Sequence, residues 1–427
     1  MISIVRCPGG HSDALENHPM SLPKDGLFFQ EGTIMNRLRT LRFAIAAGLL
    51  ATCSAFGQET KQPAKLPDVE QKAPAESKPT AEVAEALQEV NKHPSDTERI
   101  SFNAELLLWW MNGNKVPPLA TSGTTGILGA PGTSIVVGND PLGDDLRLGA
   151  RFVVGYWLNR EHTLGLEANF LFVGDNGETS NLVSGGTPLL AQPFFNTTQG
   201  GISSAAILAS PNTTPGAFSS TYASNLWGAE ANLRHNMESN ARWSIDAIGG
   251  FRYLGLKENL GVAGTSFNPN PGPVTVGSVD NFKTNSDFYG AQIGASFEYH
   301  QNRWSILATP KFGIGGTHQG VNITGLRTVT ANGASSTFNE GFLAQPSNIG
   351  QYGREVFTFL PELSVNVGWQ ALDYLKLYAG YNILYWSSVM RPGQAIDLNI
   401  GGTQPTFQYN GSELWLQGVN LGFEINF

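Results

Sequence analysis

Charged residues recur at alternate positions along the C-terminal three quarters of the chain, opposite the large apolar residues. Glu105, Arg147, Arg151, Glu230, Arg234, Arg252, Lys311 and Glu362 lead the set, joined by Glu167, Asp246, Glu258, Glu298, Lys376 and Glu424. If the chain closes into a barrel, these side chains point into the lumen, where two chemistries are open to them. Lining a water-filled pore, they set ion preference. Paired with one another, they form an ionic core that fills a narrow barrel.

Other reactive groups support less. A hydrolase needs a His beside an acid or a Ser. His162, His235 and His300 fall at short turns or strand ends, and His318 alone falls near the opposite rim, so no enzyme is expected. Asp140, Asp144 and Asp145 lack the ligand spacing of an EF-hand loop and suit turns. The glycines around Gly261 and Gly264 follow no strand–helix context, so no phosphate loop is implied. Asn196 and Asn212 sit in Asn-x-Thr triplets that this loop composition produces by chance. Cys7 and Cys53 precede the patterned region, leaving no disulfide framework or thiolate metal site there. No cofactor and no metal are expected.

The elements that must carry these charges are strands. Alternating segments run over 100–111, 145–158, 163–173, 221–235, 242–258, 281–300, 303–317, 355–370, 374–389 and 412–427. Breaks of two kinds separate them in strict alternation. Short polar turns fall at 159–162, 237–241, 301–302 and 371–373. Long Gly/Ser/Thr/Asn-rich loops fall at 112–144, 174–220, 259–280, 318–354 and 390–411. Short periplasmic turns, long external loops and an even strand number are the pattern of an outer-membrane barrel. The expected fold is all-β: an antiparallel up-and-down transmembrane barrel of about ten strands, with eight to twelve compatible.

Within the segments one face is apolar. In 242–258 it carries Trp243, Ile245, Ala247, Phe251 and Tyr253, against Arg242, Ser244, Asp246, Gly250, Arg252 and Glu258. Period-2 alternation of this kind marks a strand between two environments. Aromatics sort to the strand ends. Trp157, Trp243, Trp304 and Trp369 fall at the periplasmic side, and Trp109, Trp110, Trp386 and Trp415 at the outer side, as two headgroup girdles require. The last strand alternates Val419, Leu421, Phe423, Ile425 and Phe427 with Asn420, Gly422, Glu424 and Asn426. A closing strand that ends in Phe427 resembles the insertion signal of bacterial outer-membrane barrels, so Phe427 is the candidate contact for the assembly machinery.

Ahead of the barrel, residues 1–34 read as an over-extended start. Residues 35–57 read as a signal peptide, with Arg37, Arg39 and Arg42 before an apolar run and small residues before Gln58. Residues 58–99 are Lys-, Glu-, Pro- and Ala-rich and read as a disordered periplasmic linker. The composition agrees with a membrane barrel: charged residues are 14%, against about 25% in soluble domains, and Gly reaches 50 residues. The formal charge of −9 excludes nucleic acid as a partner.

Several stretches carry a family pattern: Asn103 to Trp110 followed by Val116-Pro117-Pro118-Leu119, Gly228 to Arg234, Gly250 to Leu254, Phe288 to Gly294, and Gly380 to Trp386 with Arg391-Pro392-Gly393. Together with Phe427 they resemble the putative β-barrel porin 7 family, known chiefly from planctomycete bacteria. The resemblance covers about Ile100 to the end. It implies an outer-membrane barrel, with porin activity implied only by the family's name and no functional residues carried over. The expected partners are outer-membrane lipid, the assembly machinery and small solutes or ions. Two functions follow: a porin-like channel for small hydrophilic solutes, or a non-conducting surface protein that works through its outer loops.

Overall fold

The structure, a computed structural model, describes residues 99–211, 215–269 and 272–427. The over-extended start, the signal peptide and nearly all of the linker lie outside the described residues, as does Asn212.

Ten strands form the barrel: β1 (Ile100–Met111), β2 (Leu146–Trp157), β3 (Leu164–Ser184), β4 (Gly216–Ser239), β5 (Trp243–Asn268), β6 (Val274–Gln301), β7 (Trp304–Ala331), β8 (Gly350–Leu372), β9 (Leu375–Val389) and β10 (Ser412–Asn426). Each pairs antiparallel with its neighbour in sequence, and β10 pairs with β1 from Ser101↔Asn426 to Met111↔Leu416. The last residue completes the closure, because Phe427 donates its N–H to the Ile100 carbonyl at 2.8 Å. Closure pairs every strand on both sides along its lower part; above Val173 on β3 and above Glu362 on β8 the strand has a partner on one side only.

The strands of the middle of the chain are far longer than the alternation predicts. β4 to β7 span 24 to 28 residues. Two of the expected long loops, 259–280 and 318–354, are therefore largely the outer ends of strands. β5 runs to Asn268, β6 begins at Val274, and β7 runs to Ala331. The physical reason is a change of solvent along one strand. On β5 the outward residues from Trp243 to Tyr253 are apolar, then become Lys257, Asn259 and Thr265. The inward residues change the other way, from Asp246 and Arg252 to Leu260 and Val262, which are buried. The same parity therefore reads apolar-out in lipid and apolar-in above it.

The apolar belt fits one bilayer crossing. It runs from Trp243 to Tyr253 on β5, from Tyr289 to Tyr299 on β6 and from Trp304 to Ile314 on β7, eleven residues each, and a spanning strand needs about 9–11. Phe251, Ile293, Phe297, Trp304, Phe312 and Phe357 are exposed on it. Such a surface is stable only against lipid.

Above the belt the long strands continue as a tower, closed by inserted loops. Residues Val116, Leu119, Leu190, Leu208, Leu343, Met390 and Leu398 of these loops pack against Phe218, Leu260, Phe282 and Ile323 of the strands. A second small sheet, built from Ala120–Gly123, Thr133–Val137, Leu189–Asn196, Ile202–Ala209 and Asn399–Ile400, ties three of the loops together.

The β6–β7 ladder has an internal gap in the belt. β6 and β7 pair down to Gly294↔Lys311 and resume at Phe297↔Ala308. Pro310 lies in that gap and has no N–H to donate.

Candidate functional site: the filled lumen

Inward-facing positions stack in layers. Around the middle of the belt lies an ionic layer. Glu362 on β8 bridges two guanidinium groups, Arg151 at 2.8 Å and Arg252 at 2.6 Å. Glu105 on β1 stands 3.6 Å from Arg151 and accepts from the Tyr378 hydroxyl at 3.1 Å. Glu230 on β4 accepts from Lys311 at 2.8 Å and from the Gln292 amide at 2.8 Å, with Arg252 3.6 Å away. Below them, Arg234 donates to Asp246 at 2.7 Å, and Lys376 sits between Glu298 at 3.0 Å and Glu424 at 2.6 Å. These strands are remote in sequence, and closure of the barrel is what sets their side chains face to face.

The layer has more acid than base. Glu105, Glu167, Glu230, Asp246, Glu298, Glu362 and Glu424 face Arg151, Arg234, Arg252, Lys311 and Lys376. Arg252 is 1% exposed and Glu362 7%. Charges held this far from water are stable only with their partners in place.

Over the ionic layer lies an apolar one. Leu107 and Trp109 of β1, Leu171 of β3, Leu226 of β4, Leu254 and Leu256 of β5, Phe288 of β6, Leu360 of β8, Trp386 of β9 and Leu414 of β10 meet across the lumen, each at most 2% exposed. Trp109 and Trp386 therefore belong to the interior rather than to the outer aromatic girdle. Their parity puts them inward, and the Trp386 indole donates to Thr317 Oγ1 at 2.9 Å. The outward girdle is kept by Trp110 and Trp415 beside them. The inward apolar residues of β5 were visible as exceptions to the polar face: Ile248, Leu254 and Leu256 share the parity of Arg252.

A further charged cluster lies above the apolar layer. Arg391, in the loop after β9, places Nε and Nη2 on the Glu258 carboxylate at 3.1 Å and 2.7 Å and donates from Nη1 to the Asn112 carbonyl at 2.6 Å. Tyr222 donates its hydroxyl to Glu258. Arg147 is here too, 3% exposed, donating to the carbonyls of Gly143 at 2.9 Å and Ser224 at 3.3 Å. Arg391 carries no period-2 signal because it lies in a loop, and its one mark in the sequence is the Arg-Pro-Gly triplet. Gln292 and Tyr378, uncharged, are the other layer members that a search by charge passes over.

The eight leading charges thus divide between levels. Glu105, Arg151, Glu230, Arg252, Lys311 and Glu362 meet in one network, Arg234 lies nearer the periplasm, and Arg147 lies above the apolar layer. Within the lumen, space remains toward the periplasm among the described residues. A polar chamber of about 130 Å³, lined by Glu105, Glu167, Asn169, Thr309 and Lys311, opens beside a vestibule of about 860 Å³ at the mouth. His318 lies on the outer wall with Nδ1 2.8 Å from Glu355, and Phe427 is 61% exposed at the periplasmic edge. Among the described residues, no group of three or more His, Cys, Asp or Glu side chains is placed to hold a metal.

A search of curated protein sequences finds no relative. Among solved structures, the outer-membrane protease OmpT from Escherichia coli is similar at 10% identity and a TM-score of 0.38, over 79% of this chain and 100% of that one. A Pseudomonas aeruginosa FadL homologue is similar at 8% identity and a TM-score of 0.22, over 78% and 90%. The P. putida toluene transporter TodX follows at 9% identity and 0.19, over 78% and 91%. None of these likenesses bears on activity. The family described as "Putative beta barrel porin-7 (BBP7)" matches residues 102–427, nearly the whole barrel, and the chain belongs to that family of outer-membrane barrels.

Proposed function

We propose that the protein is a non-conducting outer-membrane barrel that acts at the cell surface through its rigid tower, as a structural or adhesive element. The apolar layer around Trp109, Phe288 and Trp386 carries this reading, because a dry layer across the lumen leaves ions no hydrated path. The ionic layer beneath it supports the same reading, since each of its five cations is bound to a carboxylate. A barrel of ten strands is close to the eight-stranded size that side chains fill, far below the 16 to 18 strands of open porins. On this reading the loops bind partners rather than admit solutes, and no enzymatic role is assigned to His318 or its neighbours.

The second reading is a gated porin-like channel for small hydrophilic solutes. The family's description and the vestibule on the periplasmic side favour it. It requires the apolar layer to move aside. Planar-bilayer recording of refolded protein separates the two. The surface reading expects no ion steps up to membrane-rupture voltages, and reproducible unitary steps would replace it with the channel.

Both readings keep the other expected partners: bilayer lipid around the belt, and the assembly machinery at the β10 end, where Phe427 is accessible.

A further inference from the structure

The chamber inside the barrel and the bilayer outside are separated by one thin wall, at the gap between β6 and β7. We infer that this gap is a lateral portal, through which the ammonium end of an inner-leaflet amphiphile reaches the chamber while its chain stays in the lipid.

Three independent features meet there. The first is the ladder. Ala295 and Ser296 on β6 face Pro310 and Thr309 on β7 without pairing, because Pro310 cannot donate. The flanking seams are continuous: β5–β6 pairs without a break from Trp243↔Tyr299 to Asn268↔Val274, and β7–β8 from Trp304↔Trp369 to Ile323↔Gly350. The second is side-chain size. The wall consists of Ala295, Ser296, Thr309 and Pro310, so nothing bulky must leave when the strands part.

The third is a pair of spaces, one inside facing the gap and one outside bordering it on the periplasmic side, where the ladder resumes at Phe297↔Ala308. Inside, Ser296 and Thr309 line the polar chamber. Outside, an apolar groove of about 260 Å³ runs between Trp243, Ile245, Phe297, Ile306 and Ala308, in the half of the belt nearer the periplasm. A chain fits the groove and a polar end fits the chamber. The chamber wall selects the sign: Glu105, Glu167, Glu298 and Glu424 stand there against Arg234, Lys311 and Lys376, and the one surplus carboxylate favours a cation over an anion. The chamber is small, which suits an ammonium group and little more.

The test uses the full chain with Cys7 and Cys53 replaced by Ser and one new thiol, Thr309→Cys, facing the chamber. The protein is reconstituted in liposomes and treated with three thiosulfonate reagents: one on a lipid anchor beside a quaternary ammonium, one on the same anchor beside a sulfonate, and one water-soluble and cationic. The portal predicts labelling by the lipid-anchored cation at least tenfold faster than by the lipid-anchored anion. It also predicts that Pro310→Val, which restores the missing donor, slows that labelling at least tenfold and leaves the water-soluble reagent, entering by the vestibule, unchanged. Ala308→Leu, which fills the groove, must act in the same direction as a second closing variant. Labelling by the water-soluble reagent alone, equal rates for the two lipid reagents, or indifference to both closing variants would each overturn the portal.

Discussion

Arg391 lies on an external loop and Glu258 on a barrel strand, yet the two form a bidentate pair at 3.1 Å and 2.7 Å with no water access. Through this pair the loop after β9 is fixed inside the tower. Met390 follows it in, donating its N–H to Ser286 Oγ at 2.9 Å.

The pair carries the first prediction. Arg391→Met leaves the Glu258 carboxylate buried and uncompensated, a change that costs about 3–5 kcal/mol. The double variant Arg391→Met/Glu258→Leu removes both charges and recovers most of that loss. Heat-modifiable gel migration, which scores the folded band against temperature, reads both. Equal destabilisation by the single and the double variant would contradict the account.

The ionic layer behaves alike on a smaller scale of motion. Glu362→Leu strands Arg151 and Arg252 together in the lumen and destabilises by about 3–5 kcal/mol. Glu362→Gln keeps the shape and part of the hydrogen bonding, and it falls between Leu and the native residue in the same gel assay.

The apolar layer gives a prediction about conduction. Trp386→Ala removes one of the two tryptophans in it, at a cost of about 3–5 kcal/mol from the cavity left behind. If the layer is the barrier, Trp386→Ala combined with Phe288→Ala yields bilayer currents that the native protein lacks. Silence from the double variant would place the barrier elsewhere, in the tower or the ionic layer.

A pH dependence belongs to the tower. Asp280 is fully buried above the membrane, and its carboxylate accepts the backbone N–H groups of Phe342, Leu343 and Ala344 at 3.2, 3.0 and 2.7 Å. Burial pushes its pKa from 3.8 up to about 6, with the three N–H donors opposing. A raised carboxylate pKa means that the folded state holds the proton more tightly than the unfolded one. Its contribution is therefore full below pH ~4 and is lost as pH rises through 6, by about 3 kcal/mol in all. Hydrogen-exchange protection of the Phe342 to Ala344 amides should fall between pH 4 and 7. Asp280→Asn should flatten that slope, and an unchanged slope would exclude Asp280 as its source.

The last residue gives a prediction about assembly. Phe427→Ser keeps the backbone bond to Ile100, so refolded protein should lose under about 1 kcal/mol, as at other surface positions. Accumulation of the barrel in the outer membrane of expressing cells should fall several-fold if Phe427 is read by the assembly machinery. Unchanged accumulation would remove that role.

Much of the fold is legible in the sequence. Period-2 alternation is a local property, and it located all ten strands, their order and the side on which the chain closes. β1 was placed at its own limits, 100–111, because both of its ends fall at a change of polarity. The upper parts of β3, β5 and β7, and shorter upper ends of β4, β6 and β8, were missed because the alternation that identifies a lipid-facing strand is lost where lipid gives way to water. At Lys257 and Asn259 the outer face turns polar while Leu260 turns apolar inside, and a reader tracking one sign of contrast sees a loop.

The chain by itself determined which residues face inward, since parity fixes the face once a strand is fixed. It could not determine what those residues meet there. Arg151 finds Glu362 across 211 positions, Lys311 finds Glu230 across 81, and Arg391 finds Glu258 across 133. Those meetings depend on the curvature and register of a closed sheet, which no local pattern encodes. The choice between a charged pore and a filled ionic core therefore waited for the tertiary structure. It also placed Trp109 and Trp386 inside, because a ten-stranded lumen is narrow enough for side chains from opposite walls to touch.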